Sequence, residues 1–174
     1  MKLLIVLGTV LVLSRQDLDS VYSDEEKGFS IPVPKGWSIT RSVDSSKTLV
    51  LRAPAEPRTG ATLILAAQGP MKAVTDGTVT LDGFLEEVKK QYPKKFTDFE
   101  FVKADKGKDG DGNLTLALQY RYTSGGNKIG QLQHLVWTRT QHWSLSWGCL
   151  DEAFEKQRDL FEKVSKAFKP GPKK

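Results

Sequence analysis

Cysteine is almost missing from this sequence: Cys149 stands alone, and His134 and His142 are the only histidines. A lone cysteine excludes an intramolecular disulfide framework, so the chain of 174 residues has to be held together by its apolar core. One thiol and two imidazoles also fall short of a zinc set, whose ligands need close, paired spacing. Arginine is sparse and scattered. Lysine is plentiful, but Lys89, Lys90, Lys94, Lys95, Lys103, Lys106 and Lys108 interleave with Glu86, Glu87, Asp98, Glu100, Asp105 and Asp109. That mixture is a solvated surface, and with a net charge of only +5 it gives no concentrated phosphate-binding face, so nucleic acid is not an expected partner. The chain has no Gly-x-Ser-x-Gly elbow, Walker loop, dinucleotide fingerprint or His-Glu-x-x-His, so neither a cofactor nor a metal is expected.

With 39% hydrophobic and 27% charged residues and no repeat, the composition fits one soluble domain. Lys2 followed by the apolar run Leu3 to Leu13 reads as a signal peptide over 1–14, with Val12-Leu13-Ser14 before the cut. The run is shorter than the roughly 20 residues of a spanning helix. The chain is therefore expected to be exported, periplasmic or secreted, and to touch a membrane only where that segment stays uncleaved. Residues 15–27 read as a flexible leader, 28–169 as the domain and 170–174 as a basic tail.

Gly28 to Trp37 reads Gly-Phe-Ser-Ile-Pro-Val-Pro-Lys-Gly-Trp. Phe29, Ile31 and Val33 share one strand face, while Pro32 and Pro34 lack the N–H of a central ladder position, so the segment is expected to begin a sheet or lie at its edge. Further strands are expected at 37–43, 47–53 and 61–67, the last apolar on both parities and hence covered on both faces. Thr80 precedes Leu81, Phe84, Leu85, Val88 and Tyr92 at helical spacing, and that helix is expected to stop at Pro93. Residues 98–103 and 114–122 alternate around a glycine-rich turn at 106–113, and 129–139 and 143–149 complete a three-stranded meander. Asp151 is expected to cap a final helix whose Phe154, Leu160, Phe161, Val164, Ala167 and Phe168 share a face. Runs of strands broken by two helices define an α+β class with a mainly antiparallel sheet.

The opening motif, the helix introduced by Thr80-Leu81-Asp82-Gly83-Phe84, and Trp143-Ser144-Leu145-Ser146-Trp147 leading to a helix that ends Val164-Ser165-Lys166-Ala167-Phe168 together resemble the PsbP-like and DcrB-like group. The resemblance spans nearly all of the chain after its leader. It implies an α/β/α sandwich, a central antiparallel sheet with helices packed on it, and a non-enzymatic accessory or protein-interaction role outside the cytoplasm.

Three sites compete. The first is a surface for an unidentified protein partner. The second is a carrier pocket for a small apolar ligand or lipid between sheet and helices, lined by Trp137, Trp147 and Phe154. The third is a cysteine hydrolase in which His134 activates Cys149; His142 is expected exposed at a turn. Asp109-Gly110-Asp111-Gly112-Asn113 imitates a calcium loop but places Leu114 and Tyr120 where an EF-hand needs glycine and glutamate, so it reads as a turn.

Overall fold

The computed structural model describes residues 18–41, 49–55 and 59–171. The stretch read as a signal peptide lies outside them. In chain order the elements are β1 (Leu18–Asp24), β2 (Phe29–Pro34), β3 (Ser38–Arg41), β4 (Leu49–Arg52), β5 (Thr62–Gln68), a short α1 (Lys72–Thr75) and α2 (Leu81–Lys95). There follow β6 (Thr97–Lys108), β7 (Leu114–Ser124), β8 (Asn127–Trp137), β9 (His142–Leu150), α3 (Asp151–Ala167) and β10 (Lys169–Pro170). A seven-stranded sheet runs β3-β4-β5-β9-β8-β7-β6, and a three-stranded sheet runs β1-β2-β10, with every pairing antiparallel. The class is α+β, with the expected hairpin and meander in place.

Two apolar cores lie on opposite faces of the main sheet. On one face, α3 and the small sheet bury Leu63, Leu65, Trp143, Leu145, Trp147 and Cys149 under Phe29, Phe154, Phe161 and Phe168. On the other, α1 and α2 bury Leu116, Leu118, Tyr120, Leu135 and Trp137 under Val74, Leu85 and Val88. Helices thus flank both faces, but α3 shares its face with a second sheet that the sequence did not announce.

That small sheet corrects two expectations. Residues 18–24, read as tether, form β1 and pair along the whole of β2, from Asp24↔Phe29 to Leu18↔Pro34. Their polar, exposed side chains hid a strand that is held by its backbone ladder more than by burial. β2 consequently sits in the middle of its sheet despite its prolines. This is tolerated because β10 pairs only with Ser30 and Phe29, so no strand flanks Pro32 and Pro34 on that side. Gly28 makes the β1–β2 turn at φ 66°, donating to the Asp24 carbonyl at 2.8 Å.

Both helix boundaries also shift. Thr80 caps α2 as expected, its hydroxyl accepting from the Gly83 amide at 3.0 Å, but the helix passes through Pro93 to Lys95. Proline removes one amide donor there, and the last turn is held by Tyr92 and Phe96, whose rings pack 5.4 Å apart beside Phe99, Tyr120 and Tyr122. Asp151 is the first residue of α3 rather than its cap, which is Leu150. Its carboxylate instead accepts from Arg121 Nε at 2.7 Å, and its charge suits the helix N-terminus. Arg121 lies 5.8 Å from the Phe154 ring centroid and reaches Glu100 and Glu155, so β6, β7 and α3 are tied at one corner.

Gly130 on β8 is what lets α3 lie so close. A Cβ there would stand 2.2 Å from Phe154 Cδ2. Gly130→Ala is therefore expected to destabilise the domain by about 1–3 kcal/mol, as overpacking does, read as a lower urea midpoint; an unchanged midpoint contradicts this packing.

Candidate functional site

In a strand the side-chain period of two gives each face its own composition. β9 sends Trp143, Leu145, Trp147 and Cys149 into the α3 core, so Ser144, Ser146 and Gly148 must face the other way. The ladder sets Ser144 between Ala66 of β5 and Leu135 of β8, and Ser146 between Ile64 and Gln133. No apolar residue of β3, β4, β5 or β9 belongs to the core beneath α1 and α2, although these strands form the same continuous surface. Among the described residues that half of the face has no helix packed on it.

β5 shows the consequence. Its run of apolar residues was expected to be covered on both sides, yet Leu63 and Leu65 are fully buried while Ile64 and Ala66 stay partly exposed. Ser146 and Gln133 are likewise partly exposed. A line of hydrogen bonds crosses the surface. Tyr92 Oη donates to Gln133 Oε1 at 3.0 Å, Gln133 Nε2 donates to Ser144 Oγ at 3.0 Å, and the Ser144 and Ser146 hydroxyls lie 3.3 Å apart. The result is a rigid patch of small aliphatic and neutral polar groups on a fully paired backbone. It offers shape and hydrogen bonds, with the exposed Arg52 at its β4 margin, and among the described residues no nucleophile in an activated setting.

The residues singled out from the sequence are not brought together. Trp147 and Phe154, 0% and 1% exposed, lie in the α3 core, where Trp147 packs between Trp37 at 4.6 Å and Phe161 at 5.5 Å. Trp137, 1% exposed, lies across the sheet against Phe84 at 5.3 Å. The three line no common pocket; tryptophan at alternating positions marks a core as readily as a site.

Cys149 and His134 point to one face of adjacent strands. Their partners, Gly130 and Leu145, show an offset of four residues, or ~13 Å along the ladder, far beyond hydrogen-bond reach. His142 projects from the opposite face to Cys149. Burial raises the Cys149 pKa to about 12, so it is a thiol, not a nucleophilic thiolate. The hydrolase arrangement is not formed.

His142 itself departs from expectation. Rather than standing exposed at a turn it is 5% exposed and stacks on Trp137, ring centroids 5.0 Å apart and planes within 2°. Neither of its ring nitrogens has a partner among the described residues, and burial lowers its pKa to about 4. In the loop that imitates a calcium site, the Asp109 carboxylate accepts from the Asp111 amide at 3.0 Å and from the Asn113 amide and side chain, each at 2.9 Å. Those bonds build a turn, and among the described residues no cluster of His, Cys, Asp and Glu could hold a metal. Nor is any described helix long and apolar enough to cross a membrane.

A profile of the PsbP family matches residues 19–170, and the chain belongs to that family. Among solved structures, cyanobacterial PsbP from Synechocystis sp. PCC 6803 superposes with a TM-score of 0.66 at 19% identity, over 94% of this chain and 98% of that one. LpqN of Mycobacterium tuberculosis, involved in cell envelope biogenesis, matches with a TM-score of 0.62 at 16% identity, over 91% and 88% of the two chains. PA94 of Pseudomonas aeruginosa, a putative regulator of unknown function, gives 0.61 at 13%, over 88% and 97%. At such identities the likeness is one of fold. No protein of curated function matches the sequence.

Two measurements follow from the buried groups. Because the folded-state pKa of His142 lies below the ordinary 6.5, the unfolded chain binds the proton first. Its contribution is intact above pH 6.5 and is lost as pH falls towards 4, costing on the order of 3 kcal/mol. His142→Phe, which keeps a ring on Trp137, is expected to flatten most of that loss in urea titrations at pH 7 and pH 4; an unchanged pH slope contradicts the assignment. For Cys149, 1% exposed, alkylation by iodoacetamide is expected to be orders of magnitude slower in the native protein than in urea. Comparable rates would show that the thiol is not shielded by the fold.

Proposed function

We propose that this protein is an exported, non-enzymatic accessory domain that works by binding another protein on the open half of its main sheet. The observation that carries the reading is the composition of that half-face: Ile64, Ala66, Gln133 and Ser146 remain partly exposed in the interior of a seven-stranded sheet, where a domain of this kind would ordinarily seat a helix. A flat surface of fixed backbone and short side chains loses little conformational entropy when covered. Its mixture of aliphatic and neutral polar groups is typical of a non-obligate interface.

Other features support the same direction. The PsbP family membership and the fold shared with LpqN, a protein of cell envelope biogenesis, favour an extracytoplasmic accessory role. Lys2 and the apolar run after it favour export. The shielded thiol and the separated histidines favour binding over catalysis.

A photo-crosslinking amino acid placed at Ile64 or Ser146 in producing cells is expected to give a discrete heavier species, and one placed at Lys156 on the outer side of α3 is expected to give none. Crosslinking from Lys156 alone, or from no position, would contradict the assignment of the surface.

A further inference from the structure

On the opposite face of the main sheet, α3 covers β8 and β9 but stops short of β6, leaving a pocket of about 340 Å³ between the helix and the edge strand. Its volume lies within the range of small-molecule sites. Ala117 and Gln119 of β7 and Leu132 and His134 of β8 form the floor, and Phe161 and Ser165 of α3 form the wall. These residues are neighbours because the ladder pairs Ala117 with His134 and Gln119 with Leu132.

Two polar side chains of the floor have no hydrogen-bond partner among the described residues. Gln119 is 4% exposed, and its side-chain amide makes no hydrogen bond with a described residue. His134 Nε2 is also buried and unpartnered, and burial lowers the pKa of the ring, so it is a neutral imidazole with one donor and one acceptor. A primary amide beside a neutral imidazole is complementary to a ligand that both donates and accepts. The charges at the rim cancel: Lys103 pairs with Asp105 at 3.4 Å on the strand side, and Lys166 with Glu162 at 3.7 Å on the helix side. An ionic ligand would have to break one of those pairs and lose its own hydration without a dedicated counter-charge.

We propose that this pocket binds an uncharged small molecule with a planar apolar body and one carboxamide-like polar group, the body against Phe161 and Leu132 and the amide on Gln119 and His134. The site does not depend on the protein-binding face, from which the sheet separates it.

The test uses benzamide as the probe, with benzoate and benzylammonium as charged counterparts of the same shape, titrated into the full chain and followed by NMR. Saturable shifts of the Gln119 side-chain amide and the His134 ring, with benzamide bound at least about tenfold more tightly than either ion, are expected. Ala117→Leu on the floor, or Ser165→Leu on the wall should the first disturb the sheet, is expected to abolish saturation. Contacts in the unsubstituted protein between benzamide protons and Phe161 and Leu132 are expected as well. Shifts that rise linearly without saturating, binding of benzoate or benzylammonium as strong as that of benzamide, or contacts that map elsewhere would each overturn the proposal.

Discussion

The alternation of β9 is the constraint on which the other features of this domain rest. This strand lies at the centre of the seven and sends large apolar side chains to one face and His142, two serines and a glycine to the other. A shift of one residue in its pairing would turn Trp143 and Trp147 to the open side and bury Ser144 and Ser146 in the α3 core, so the register is strongly specified. The two tryptophans then determine what packs above them. Trp143 takes Phe29 at 5.3 Å and Phe168 at 5.6 Å, joining the small sheet and the end of α3, while Trp147 takes Trp37 and Phe161. Burial of each such ring contributes a few kcal/mol, which is how a chain with no disulfide keeps two sheets together.

The other face follows from the same choice. Because β9 presents small groups there, α2 has nothing to grip beyond β8 and settles over β6 and β7, where Tyr120, Leu118 and Leu116 offer an apolar bed. The chain of hydrogen bonds from Tyr92 through Gln133 to Ser144 marks the boundary between the covered and uncovered halves. Asymmetry in cover on one face and crowding on the other thus have one cause, and both the open surface and the pocket beside α3 lie where a helix stops short of an edge.

Much of this architecture was legible. Periodicity located the strands of the meander and both long helices, and Thr80 was recognisable as a cap because its hydroxyl chemistry is local. Of the three motifs behind the family resemblance, the opening one and the segment from Trp143 build the α3 core, and the helix start at Thr80 packs on the other face. What stayed hidden depends on contacts distant in sequence. β1 is polar and held by its ladder, Pro93 is tolerated because aromatic rings anchor the turn around it, and β2 is central because β10 is only two residues long. The tryptophans could be assigned to an interior but not to a side, since Trp137 and Trp147 are separated by sheet order and not by pattern. His142 read as a turn residue because nothing in its neighbours announces a stack on Trp137. The open half-face was invisible for a related reason: Ile64 and Ala66 look buried in sequence, and only the reach of α2 decides that they are not.

The most direct measurement is the alkylation rate of Ser146→Cys, in a protein whose native cysteine is shielded. Rapid modification is expected in the purified domain, where the half-face is uncovered, and marked protection in intact producing cells, where a partner occupies it. Slow modification of the purified domain would mean that the chain covers this face itself, and equally rapid modification in both settings would mean that nothing docks there.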